Sequence, residues 1–165
     1  MFIETKRTKI TTFTLELIDA ALSGNTDNLS RLGYHGNGEW PEPDLAEALP
    51  VFRKLIVNNG INGFNSWLIS DKNNGLIFGS IGFIGNPDEN GGVEIGFGIV
   101  PGQRRKGYCL EALKALIEWA KACKALNYIK ARCEPANEAS KKILEKAGFT
   151  MTGSLDRLHC WELRF

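Results

Sequence analysis

The stretch Val93–Glu111 reads VEIGFGIVPGQRRKGYCLE. Val93 to Val100 is rich in β-branched and aromatic residues and predicts a strand. Pro101 and Gly102 break it. From Tyr108 to Lys124 a helix is predicted, because Leu113, Leu116, Ile117 and Ala120 recur at i, i+3, i+4 and i+7. The junction is therefore strand, Gly- and Arg-rich turn, helix. Such a turn exposes free backbone N–H groups at the positive end of a helix and suits a phosphate. Arg104, Arg105 and Lys106 add charge, and Gly107 allows close backbone approach. Gly102 and Gly107 also have the glycine spacing of a Walker A loop. Gly107 is followed by Tyr108 and Cys109, so the lysine and magnesium-binding hydroxyl of an NTPase are missing.

Working outward, Phe64–Ser70 and Gly75–Gly85 predict two strands joined by the turn Asp71–Asn74 (DKNN). With Val93–Val100 they form an antiparallel meander, which excludes a simple doubly wound sheet. Upstream, Lys6–Phe13 predicts a strand. Thr14 sits at an N-cap before Leu15, Ile18 and Leu22, with a stop at Gly24 and Asn25. Gly33–Pro43 reads as a loop, and Asp44 is expected to cap a second helix carrying Leu45, Leu49, Phe52, Leu55 and Ile56 on one face. Asn58–Gly63 ends it. Downstream, Tyr128–Glu134 predicts a strand, and Asn137–Ala147 a helix closed by Gly148. Phe149–Phe165 predicts a terminal hairpin. The order is β-α-α-β-β-β-α-β-α-β-β, with no internal repeat and no linker. A single α/β (α+β) domain over residues 1–165 is expected.

With 165 residues, 43% of them hydrophobic, the chain can bury one core. The start, MFIETKRTKI, lacks the apolar region of a signal peptide, and no stretch is long enough to span a bilayer. The cysteines, Cys109, Cys123, Cys133 and Cys160, show no CxxC spacing, and only His35 and His159 accompany them. No zinc or other metal site is expected, and free thiols in a reducing cytoplasm are. A net charge of +1 hides an asymmetry. Residues 13–50 hold seven acids and one base, a net of −6. Residues 101–150 hold eleven bases and five acids, a net of +6. The basic half suits an anionic ligand and the acidic half a cation, unless both are solvated helix faces. No aromatic-interleaved basic patch or motif supports a nucleic-acid partner.

Arg104-Arg105-Lys106-Gly107-Tyr108-Cys109 resembles the Q/R-x-x-G-x-G/A pyrophosphate loop of the GNAT acetyltransferases, with Cys109 in the place of a Gly or Ala. Three further matches stand in register. Glu4-Thr5-Lys6-Arg7 resembles the E-T-x-R opening of the ribosomal-protein N-terminal (RimJ/RimL-like) subgroup. Glu94-Ile95-Gly96-Phe97 resembles the E-I-G-Y/F of the strand before the loop. Asn137 to Ser140, followed by Ala147-Gly148-Phe149, resembles N-x-x-S … x-G-F.

The resemblance implies a mixed, mostly antiparallel sheet with helices on both faces. It also implies acetyl-CoA as cosubstrate and acetyl transfer to a primary amine of a peptide, polyamine or other small molecule, by a monomer or homodimer. A silent acyl-CoA binder or sensor is the alternative. By position, Gly98, Ile99 and Val100 would meet the thioester and pantetheine arm. Arg104, Arg105, Lys106, Gly107, Tyr108 and Cys109 would hold the pyrophosphate, and Asn137 would cap its helix and touch the arm. Glu94 is the implied general base, against an outward-pointing polar residue. The family's usual tyrosine acid is here Leu144, so Ser140 is the implied proton donor, against a simple contact with the coenzyme. Cys109 as a nucleophile lacks a neighbouring histidine. His159 reads as packing, and Trp40 as either an acceptor-site or a structural aromatic.

Overall fold

The computed structural model describes residues 1–36, 38–124 and 126–165. Consecutive residues of one central strand, Trp67, Leu68 and Ile69, fall into two different hydrophobic clusters, which is what period-two alternation gives when both faces of a sheet are covered. The strands are β1 (Phe2–Glu4), β2 (Thr8–Thr12), β3 (Ser66–Asp71), β4 (Ile77–Phe83), β5 (Gly92–Ile99), β6 (Tyr128–Cys133), β7 (Thr150–Leu155) and β8 (Leu158–Arg164). Their spatial order is β1-β2-β3-β4-β5-β6-β8-β7. The helices are α1 (Leu15–Leu22), α2 (Thr26–Arg31), α3 (Pro43–Asn59), α4 (Tyr108–Lys121) and α5 (Glu138–Ala147).

Leu17 and Ile18 of α1 and Leu49 and Ile56 of α3 share one cluster with Phe13, Leu68 and Val100. Leu113, Leu116 and Ile117 of α4 and Leu144 of α5 share the other with Trp67, Ile69 and Ile95. So α1 and α3 cover one face and α4 and α5 the other.

Local chemistry explains the ends of these elements. Thr14 Oγ1 accepts the Leu17 N–H at 3.1 Å, and Asn137 Oδ1 accepts that of Ser140 at 3.0 Å. Gly148 closes α5 at φ +95°. Asp71 Oδ1 accepts the N–H groups of Asn73 and Asn74 in the β3–β4 turn.

Three features differ from the sequence expectation. β1 and α2 are additional, and both are short. α3 begins at Pro43 with Glu42 as N-cap, not at Asp44, because a proline at the first helical position needs no N–H acceptor. Asn37, inside the expected loop Gly33–Pro43, lies outside the described residues.

One pairing decides where a ligand can enter. β5 pairs with β4 antiparallel from Ile95 to Ile99, but with β6 in parallel only at Gly92↔Tyr128, Val93↔Ile129 and Glu94↔Lys130. Beyond Glu94 the two parallel strands part while β5 runs on to Ile99 and β6 to Cys133.

Candidate active site

The parted strands open a cleft of about 1170 Å³. It runs from the turn at Gln103–Gly107 along Gly96–Ile99. The first turn of α5, with Asn137 and Ser140, lines it on one side, and the start of α3, with Glu42, Asp44 and Leu45, on the other.

At the turn, a 3-10 segment at Pro101–Gln103 leads into Arg105 at φ +63° and Gly107 at φ +83°, the N-cap of α4. Nothing caps α4 by a side chain. A helix leaves its first N–H groups without intrahelical acceptors, so this end offers donors to the cleft. The side chains brace the turn. Arg104 Nε donates to the Ile99 carbonyl at 2.9 Å, and Lys106 Nζ to the Gly102 carbonyl at 3.0 Å and Gln103 Oε1 at 2.8 Å. Glu39 accepts the Gly102 N–H at 3.1 Å.

The opening motif acts on the same turn from outside. Arg7 Nε and Nη2 engage Glu111 Oε2 at 2.7 Å, and Arg7 Nη1 donates to the Lys106 carbonyl at 2.8 Å. The Arg7 guanidinium also lies 4.7 Å from the Tyr108 ring centroid, and that ring stacks on Phe78 at 3.9 Å. Tyr108 therefore positions α4. Cys109 is buried, and burial pushes its thiol up to about 12, which removes it as a nucleophile at neutral pH.

Along β5 the backbone alternates. The Val100 N–H donates to the Phe78 carbonyl at 2.9 Å, and the Ile84 N–H to the Glu94 carbonyl at 2.8 Å. In an antiparallel ladder this turns Gly96, Gly98 and Val100 toward β4 and leaves Phe97 and Ile99 to face the gap. Of Gly98, Ile99 and Val100, only Ile99 turns its backbone to the gap. Ile99 faces the gap, Phe97 joins it, and Val100 is buried against the α1–α3 face.

Glu94 lies outside the cleft lining. Arg132 Nε and Nη2 each donate to one of its oxygens at 2.9 Å. Ser140 lines the cleft, and Leu144 is buried in the core, so the usual tyrosine place holds no proton donor. Trp40 is buried edge-on to Phe13, with centroids 6.4 Å apart, as a core aromatic. His159 sits on β8 opposite Cys133, with Nδ1 buried and without a partner among the described residues.

Three carboxylates, Glu42, Asp44 and Glu138, line the cleft, and Glu42 is the one that stands against β5. Its Oε1 lies 3.4 Å from where a Cβ on Gly98 would stand, so a side chain at position 98 would touch it. The spacing from Glu42 to Gly98 carries no local sequence signal, and the pair was invisible before folding.

The acetyltransferase (GNAT) domain family matches residues 7–150. The chain belongs to the GNAT acetyltransferase family. It is 47% identical over 152 residues to YjdG, an uncharacterized N-acetyltransferase of Bacillus subtilis (strain 168), covering 92% of this chain and 90% of that one. The same fold occurs in RimL, a ribosomal L7/L12 alpha-N-protein acetyltransferase in complex with coenzyme A. The TM-score is 0.72 at 15% identity, covering 100% and 98% of the two chains. It occurs also in a ribosomal-protein-S5-alanine acetyltransferase from Vibrio fischeri, with TM-score 0.71 at 18% identity, covering 99% and 96%. As a GNAT protein the chain is an N-acetyltransferase. Among the described residues no group of histidine, cysteine and carboxylate side chains could hold a metal, and no helix is long and apolar enough to cross a membrane.

Proposed function

We propose that this GNAT protein moves the acetyl group of acetyl-CoA onto a primary amine, by direct attack of the amine on the thioester. The observation that carries the reading is one continuous cleft that joins the N-terminus of α4 to the start of α3 across β5. The pyrophosphate would sit on the N–H groups at Gly107–Cys109, with Arg104, Arg105 and Lys106 around it. The pantetheine arm would run along the free edge of β5 at Phe97 and Ile99, with Asn137 across the gap. The Phe97 N–H faces the gap and is the group suited to polarise the thioester carbonyl. Ser140 is the proton source for the departing thiolate.

Direct attack needs a neutral amine, hence a base. For Glu94, the base implied by the motif, abstraction would require breaking the two-pronged pair with Arg132. The acceptor is a peptide N-terminus, a polyamine or another small amine. The reading places the reaction in the cytoplasm, supported by four free cysteines. Full-length protein is incubated with acetyl-CoA and an amine panel, and thiol release is followed. Release that depends on the amine supports acetyl transfer. The buried Leu144 favours a second reading, an acyl-CoA binder without turnover. A thermal shift with acetyl-CoA but no thiol release with any amine would select it.

A further inference from the structure

We propose that Glu42, at the entry to α3, is the catalytic base that takes the proton from the acceptor amine. The inference rests on the acetyl-transfer reading above and names a residue that the GNAT motifs do not.

Four observations converge on it. Glu42 is the N-cap of α3, and its side chain makes no cap hydrogen bond. The side chain turns instead into the cleft, with Oε1 over Gly98. Its Oε2 is buried, and no donor among the described residues reaches it. A buried carboxylate oxygen without a donor among the described residues costs stability unless water, a ligand or a substrate supplies one. Finally, Gly98 presents its Cα side to Glu42 while its neighbours Phe97 and Ile99 present their backbone to the gap. An amine held by Glu42 would lie beside the strand at the level of the thioester.

Burial raises the Glu42 carboxyl above its ordinary value. Its own backbone N–H and Arg104 pull the other way, and Asp44 and Glu39 add to the rise. The net direction is upward, which favours proton uptake by this carboxylate.

The step balances. The ammonium gives one proton to Glu42, which passes it to solvent. The neutral nitrogen attacks the carbonyl carbon, the N–C bond forms, and the C–S bond breaks with its electron pair on sulfur. The second nitrogen proton ends on that sulfur, with Ser140 as relay, giving the acetyl-amine and free coenzyme A thiol.

The test compares Glu42→Gln, Glu42→Asp and Glu94→Gln with the wild type, using the best amine of the panel between pH 6 and 9. Glu42→Gln should bind acetyl-CoA normally by thermal shift and lose on the order of 10²–10⁴-fold in kcat/KM. Glu42→Asp should recover part of it, and Glu94→Gln should lose less than Glu42→Gln. The deficit of Glu42→Gln should shrink for an acceptor that is already neutral at the working pH, a dependence that a structural role would not produce. Because the Glu42 carboxyl is raised, its contribution to stability is lost as pH rises through its folded value. The Tm of Glu42→Gln at pH 8 should therefore equal or exceed that of wild type. Wild-type kcat/KM in a folded Glu42→Gln, or a larger loss in Glu94→Gln, overturns the base assignment alone. Absence of thiol release from the wild-type protein overturns acetyl transfer and the assignment with it.

Discussion

Gly107 shows how one residue can carry both geometry and function. At φ +83° it occupies backbone space that a β-branched residue scarcely enters, and a Cβ there would stand 3.3 Å from Arg7 Nη2. Gly107→Val would strain the turn and press on the guanidinium that holds it. The expected outcome is a folded protein whose thermal shift with acetyl-CoA is abolished. An unchanged shift would place the pyrophosphate elsewhere. Two residues away, Cys109 offers the opposite expectation. Its thiol is buried and pushed up to about 12, so it is inert, and the family loop accepts alanine in its place. Cys109→Ala should retain a kcat close to that of wild type, with any stability cost, under roughly 1.5 kcal/mol, appearing separately in Tm. Loss of all turnover in a folded Cys109→Ala protein would restore the nucleophile.

At the scale of elements, the start of the chain braces the start of α4. Thr5 Oγ1 and the Arg7 N–H both donate to Glu111 Oε1, at 2.5 and 2.7 Å, while the Arg7 side chain takes Oε2. Burial opposes ionisation of Glu111, but these donors and the Arg7 charge outweigh it and hold the carboxyl below its ordinary value. A lowered carboxyl contributes stability that is present above the unfolded glutamate value of about 4.3 and is lost as pH falls through the folded value. Wild-type Tm should therefore fall on acidification below that range. Arg7→Ala should have a lower Tm at pH 7 and a shallower fall, measured by circular dichroism. Parallel curves for the two proteins would remove Glu111 from the acid response.

This brace also shows what a sequence can and cannot disclose. The E-T-x-R opening was legible as a motif, but its partner Glu111 lies 104 residues away from Arg7, and only the fold joins them. Caps at Thr14, Asn137 and Gly148 were legible because capping is a local reaction between a side chain and the next turn. α2 was not, because in six residues only Leu29 is buried and no period emerges. The candidate site divides the same way. The Arg104–Cys109 turn could be read directly, whereas Glu42 could be counted only as one acid among seven.

At the scale of the molecule, the charge split becomes spatial. The acidic segment 13–50 supplies α1, α2 and the start of α3, on one face of the sheet. The basic segment 101–150 supplies α4 and α5 on the other. The cleft passes between them, with Asp44 on the acidic wall and Lys142 and Lys146 on the basic one. An anionic donor and a cationic acceptor would thus be drawn to opposite walls of one cleft. Glu39 and Glu42 are poor probes of this field, because Glu39 holds the Gly102 N–H and Glu42 is assigned to chemistry. Asp44 is exposed and is the cleaner one. Exposed charges are screened over about 8–10 Å at physiological salt, and one exposed pair is worth about 0.2–1 kcal/mol. Asp44→Asn should therefore raise KM for a cationic amine by up to about fivefold at low salt, with little change in kcat. The difference from wild type should close as ionic strength rises. For an acceptor neutral at the same pH, neither salt nor the substitution should move KM. Equal shifts for the two acceptors would show that Asp44 acts by contact or packing and that the acidic wall exerts no steering.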